Sequence, residues 1–179
     1  AVRFTLAALA VQGRDIRLAE SRVEGYRNFV SKLWNAARFC QMNGCTPVRD
    51  FDPTTATLTL NRWIIGKVSE TADQVAASLD AYKFNEAAGG LYHFTWGTFC
   101  DWYLELAKPV LQGEDGAAKT ETRATTAWVL DQILHLLHPV MPFMTEELWQ
   151  QLGENRPYKL IQGEWPELDA RLVDDTVNQ

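Results

Sequence analysis

The chain has 179 residues, of which 46% are hydrophobic and 22% charged, and its formal net charge is −6. A chain of this size buries a core without disulfides or metal, and its acidic balance argues against non-specific coating of nucleic acid through many phosphate contacts. No apolar run approaches the ~20 residues of a membrane span, and no signal peptide is visible.

Helical periodicity dominates. A first helix is expected over about residues 1–11, ending at Gly13. It starts uncapped and without an initiator Met, so the chain reads as an excised piece of a longer protein. After the short polar link 13–18, a second helix is expected over residues 19–42, with Tyr26, Val30, Leu33, Ala37 and Cys40 as its buried stripe. Gly44 ends it, and Pro47 and Pro53 mark the loop that follows. A third helix, from about Thr54 or Thr55 to Tyr82, carries Leu60, Ile64, Val68, Val75, Leu79 and Tyr82 on its apolar face. A fourth, from about Asn85 to Leu111, buries Leu91, Phe94, Phe99, Trp102 and Leu106. Its Gly89–Gly90 pair reads as a close helix contact or a bend. The loop 112–118 leads to a fifth helix over residues 119–138, stopped by Pro139. Pro142 opens a sixth to about Leu152, with Glu146 and Glu147 early in it, where the helix dipole favours anions. Beyond Gly153, Tyr158–Ile161 reads as a short extended segment, Trp165–Pro166 as a break, and Asp174–Asp175 as a frayed acidic end. The fold class expected is all-α: a bundle of five or six helices with a short irregular C-terminal extension.

The signatures of catalysis are missing from the sequence: no phosphate-binding loop, dinucleotide fingerprint, zinc-binding His pair or nucleophile elbow. Cys40, Cys45 and Cys100 contain no CxxC pair. They predict neither a disulfide framework nor a zinc site and fit a reducing compartment. His93, His135 and His138 show no ligand spacing, and His138 reads as a helix-end residue suited to the dipole. Asp73, Asp80, Glu105, Glu146 and Glu147 read as solvated or capping groups, and Trp63, Trp96, Trp102 and Trp149 as core. By its chemistry alone the chain is expected to catalyse nothing.

One helix face is less ordinary. Opposite the buried stripe of the second helix lie Asn28, Lys32, Asn35 and Phe39, with Ser31 and Arg38 flanking the row and Phe29 at its border. Amides hydrogen-bond base edges, cations hold phosphates and aromatics stack, so the row suits unstacked single-stranded bases. A solvated face beside a packed one produces the same pattern.

The same segment carries a family resemblance. Residues 25–39, GYRNFVSKLWNAARF, resemble the valyl-tRNA synthetase run RNFxNKLWNAxRF, with Ser31 where that family usually has Asn. Residues 3–10 and 13–17 resemble its ALRFTLAAL and GRDI[KR] junction, residues 94–105 its FxWxxFCDWY[LI]E, and residues 136–149 its LLHPxMPFxTEELW. The resemblance extends over residues 1–166 and implies a class I synthetase that joins valine to its tRNA with ATP and magnesium. The HIGH-like and KMSKS-like signatures of its catalytic domain do not occur here, so the chain itself is expected to hold no cofactor and to be inactive. It corresponds to the anticodon-binding region: 1–18 a junction helix and connector from the catalytic domain, 19–153 the helical anticodon-binding domain, and 154–179 an extension toward a coiled-coil arm. The implied partners are the anticodon stem–loop of valine tRNA and the catalytic domain of the same chain, in a cytoplasmic monomer with no membrane contact. Carried over residue by residue, Lys32, Asn35 and Arg38 contact anticodon bases, with Asn28, Phe29 and Phe39 beside them. Arg14 and Arg17 touch the tRNA backbone, and Asp15 caps a helix or forms an ion pair. Two alternatives stand beside this: an internal scaffold that docks the catalytic domain through the first helix and residues 13–18, and the equivalent domain of an isoleucyl-type synthetase.

Overall fold

The computed structural model describes residues 1–13, 15–174, 176 and 177, without the side chain of Ala170. The helices are α1 (Val2–Leu9), α2 (Glu20–Met42), α3 (Thr59–Asp80), α4 (Phe84–His93), α5 (Leu104–Gln112), α6 (Ala117–Leu137) and α7 (Pro142–Leu152). Between α4 and α5 the backbone stays helical but winds as a π-helix over Phe94–Tyr103, so these three pieces form one rod. The result is six helical rods with no strand among the described residues.

α3 is the central element. It packs against α4, the π segment and α6, and seals Ile64, Ile65, Val68, Ala72 and Val75 at 2% exposure or less. Its own N-cap position is Leu58, which has no side-chain acceptor for the orphan N–H groups of the first turn. Glu121 of α6 supplies the acceptor from across the bundle. Its carboxylate takes bonds from Thr57 N (3.0 Å), Leu58 N (2.9 Å) and Asn61 Nδ2 (2.9 Å). Asn61, fully buried, in turn accepts from Tyr103 Oη at 3.0 Å, and that hydroxyl shares a second bond with Thr126 Oγ1. One satisfied polar chain therefore ties α3, the π segment and α6 inside an otherwise apolar core, where an unmet polar group would be costly.

The π segment redirects side chains. A π turn holds more residues than an α turn, so a face extrapolated at 3.6 residues per turn drifts out of register across it. Phe99, Tyr103, Leu104, Ala107 and Leu111 are buried, whereas Trp102 and Leu106 stand 65% and 53% exposed. Their expected burial is corrected on this ground; Trp149 is core, and Trp63 and Trp96 are half-buried against it. Tyr82, expected on the apolar face of α3, lies beyond the helix end in a left-handed conformation and is 69% exposed. The Gly89–Gly90 pair is not forced by packing, because a Cβ at Gly89 would meet nothing within 4 Å and one at Gly90 only the Gln74 side chain at 3.8 Å.

Past Gly153 the chain folds back over α6 and α7. The expected extended segment is instead a single 3-10 turn, Leu160–Gln162. Glu146 caps that turn, accepting from Leu160 N and Ile161 N at 3.1 Å each, which gives this carboxylate a tertiary role beyond the dipole of α7. His138 stands at the C-terminal end of α6 as expected, where Nδ1 pairs with Thr145 Oγ1 at 2.8 Å and burial lowers the imidazole's affinity for a proton. A turn at Ala170–Leu172 brings Leu172 onto α3. Asp174 pairs with Arg62, and Asp175 lies outside the described residues.

Candidate nucleic-acid interface

α2 begins after the extended Ala19 with Glu20 in its first turn, where a carboxylate complements the helix dipole. It ends in a Schellman motif. Gly44 takes φ 71°, Cys45 N donates to Cys40 O at 2.9 Å, and Gly44 N donates to Gln41 O at 3.1 Å. Both cysteines are buried, so this pair also supplies the apolar contact that usually seals the motif. The inward face of α2 is Phe29, Leu33, Ala36, Ala37 and Cys40, each 6% exposed or less.

The other face carries the candidate row. Asn28, Ser31, Asn35 and Arg38 are exposed, while Lys32 and Phe39 are half-buried. Phe29 is not part of it: it is fully buried between Phe4 of α1 (ring centroids 5.2 Å) and Tyr92 of α4 (4.9 Å), so it is removed as a contact candidate. The cause is α1, which lies over this border of α2 and converts it into core. Arg17 is exposed in the irregular stretch before α2, as is Asp15, and Arg14 lies outside the described residues.

The π segment and α5 flank the row. Lys32 Nζ donates to Asp101 Oδ1 at 2.7 Å and sits 5.4 Å from the centre of the Trp96 ring. The Asp101 carboxylate raises the lysine's affinity for its proton. Lys108 Nζ lies 5.8 Å over the Phe39 ring and bonds the Glu105 carboxylate at 2.6 Å. Exposed side chains that stay ordered by such pairs lose little further entropy when they meet a ligand. Trp102 projects into solvent one residue beyond Asp101. The pattern of α2 alone gave no hint of Asp101, Trp102 or Lys108. Their positions depend on the π winding, although the run 94–105 was visible as a motif. Among the described residues no group of three or more potential metal ligands forms, and no helix is long and apolar enough to cross a membrane.

This geometry offers amide and cationic donors on a helix anchored in the core, with aromatic rings beside them. It suits recognition of a flexible polar polymer.

Comparisons with known proteins agree. The chain is 58% identical over 177 residues to a valine–tRNA ligase of Caulobacter vibrioides, covering 97% of this chain and 20% of that protein. It is 52% identical over 180 residues to the valine–tRNA ligase of Rhizorhabdus wittichii, again covering 20% of it. The chain thus spans about a fifth of the length of these curated relatives. The fold matches a leucyl-tRNA synthetase chain of Agrobacterium radiobacter K84, solved in a ternary complex with tRNA and LeuAMS. The TM-score is 0.75 at 18% identity, over 97% of this chain and 20% of that one. The family model for the anticodon-binding domain of tRNA ligases matches residues 61–179; α2 lies before that stretch but inside the alignments to the valine ligases. The chain belongs to the family of anticodon-binding domains of tRNA ligases.

Proposed function

We propose that this region holds the anticodon arm of valine tRNA within a valine–tRNA ligase, whose ATP- and magnesium-dependent chemistry resides in the rest of the polypeptide. The observation that carries the reading is the outward row of exposed Asn28, Asn35 and Arg38 with the half-buried Lys32, on a helix anchored in the core, with Arg17 near its start for the tRNA backbone. The valine–tRNA ligase relatives support the choice of amino acid. Residues 1–18 are the connector from the catalytic domain, 19–153 the anticodon-binding unit and 154–179 the extension beyond it. The ligase acts as a cytoplasmic monomer, away from membranes.

Asn35 is the test. Its amide is exposed on the row, and one bidentate base contact is worth ~1–3 kcal/mol. Asn35→Ala in the full-length ligase is expected to lower kcat/KM for charging of valine tRNA about ten- to hundredfold, with adenylate formation unchanged. Unchanged charging removes Asn35 from the interface.

A second reading has its own observation. Val2, Leu6, Val30, Trp34, Met144 and Phe143 line an apolar groove of about 890 Å³ between α1, α2 and α7, and Phe143 is 87% exposed. In a protein about five times longer, the remaining polypeptide of the ligase is the occupant, and the region then also serves as its scaffold. The readings separate on tRNA with an altered anticodon: a pure scaffold charges it as well as the natural one.

A further inference from the structure

Lys32 and Arg38 lie on the same exposed side of α2, but they stand in different surroundings. Arg38 makes no ion pair among the described residues. Lys32 is held from two directions, by Asp101 at 2.7 Å and by the Trp96 ring at 5.4 Å, and its side chain is still 35% exposed. An ammonium has three N–H donors. Asp101 takes one, which leaves donors for a ligand in a fixed direction.

The carboxylate also changes what that ligand can be. A phosphate approaching Lys32 comes within a few ångströms of the Asp101 carboxylate, whose repulsion offsets part of the lysine's attraction. A base edge carries acceptors without net charge and meets only the donor. Phosphate contacts position a nucleic acid and base contacts specify it, so the pairing decides which task the lysine performs.

We infer that Asp101 is a positioning residue that sets specificity: it holds Lys32 as a directional donor to a base edge and withholds it from backbone phosphate, leaving the phosphate contact to Arg38. This rests on the anticodon-binding function proposed above. It also gives the π winding a role, since the winding turns Asp101 toward α2 while Trp102 faces solvent.

The experiment uses the full-length ligase, transcribed valine tRNA, and the same tRNA with its middle anticodon base replaced. Dissociation constants over a potassium chloride series give two readouts, the discrimination between the tRNAs and the slope of log K against log salt. Arg38→Ala is expected to flatten the slope by ~0.7, the value of one phosphate contact on a single strand. Lys32→Ala is expected to leave the slope in place and to lose about tenfold in discrimination. Asp101→Asn is expected to lose a similar discrimination and to steepen the slope by ~0.7, because the freed lysine now meets phosphate. Asp101→Glu, which can rebuild the pair, is expected to recover both. Urea midpoints and far-UV circular dichroism of each variant serve as the control on the fold.

A Lys32→Ala protein whose slope flattens like that of Arg38→Ala overturns the assignment. So does an Asp101→Asn protein with slope and discrimination intact; the anticodon reading then survives and only the role of Asp101 falls. If the unmodified ligase binds both tRNAs equally, the anticodon reading falls and takes this proposal with it.

Discussion

Glu121 shows how one residue of a neighbouring helix stands in for a missing cap. Burial alone would push its carboxyl up. The bonds from Thr57, Asn61 and Leu58 outweigh this and hold it below the usual carboxylate value near 4.5. A carboxyl depressed in the folded state contributes stability that is complete above its unfolded value and is lost as pH falls through the folded one. Glu121→Gln is therefore expected to cost about 1–3 kcal/mol at pH 7 and to flatten the loss of stability as pH falls below about 4.5 and through the lower folded value, read in urea titrations. Parallel curves for the two proteins would show that the carboxylate's charge is not what the cap uses. None of this was legible beforehand, because a cap supplied from a distant helix leaves no mark in the local sequence. The candidate row was more legible. Spacing on α2 places Asn28, Asn35 and Arg38 outward without reference to any other element. Phe29 was misplaced because its burial is decided by Phe4 and Tyr92, on two other helices.

Helix boundaries were mostly within a few residues of expectation, since Gly, Pro and the apolar period are local signals. The largest departure is the start of α3, where the single 3-10 turn Pro53–Thr55 precedes the helix proper at Thr59. The π segment was not legible, because its composition is that of any aromatic-rich helix. Glycines make the element scale testable. Gly89 lies in α4 with open space where a Cβ would be, so Gly89→Ala is expected to stabilise by ~1 kcal/mol, the difference in helix propensity. Gly44 is the opposite case. Its φ of 71° suits glycine, and a Cβ would press at 3.3 Å on the Arg123 guanidinium, which donates to Asn43 O at 2.7 Å. Gly44→Ala is expected to destabilise by about 1–3 kcal/mol. Urea midpoints moving the same way for both variants would refute the contrast.

At the scale of the whole molecule, what remains is why residues 153–163 stay on the bundle, given that only Leu160 among them is sealed in the core. The clamp is Arg156. Its guanidinium makes a bidentate pair with Asp131 of α6 at 2.7 and 2.8 Å and donates from Nε to Trp149 O at 2.8 Å. It also lies 3.6 Å over the Trp149 ring. Trp149 Nε1 then donates to Tyr158 O at 3.0 Å, with the two rings stacked. Gly153 makes room, since a Cβ there would overlap the Arg156 side chain. The two charged side chains are only 11% and 14% exposed, and burial pushes the Asp131 carboxyl up despite its partner. In such a site the isolated charge is the costly species, more than the absence of the pair. Arg156→Ala is therefore expected to destabilise by about 3–5 kcal/mol and to expose the segment to chymotrypsin at Tyr158. Replacing both partners with apolar residues, Arg156→Met with Asp131→Leu, is expected to recover most of that loss, because methionine still covers Trp149 and no charge is stranded. A double variant as unstable as Arg156→Ala would place the clamp's strength in the bond to Trp149 O and the stacked rings. A single variant cleaved no faster than the unmodified chain would show that Leu160 and the Glu146 cap hold the segment without it.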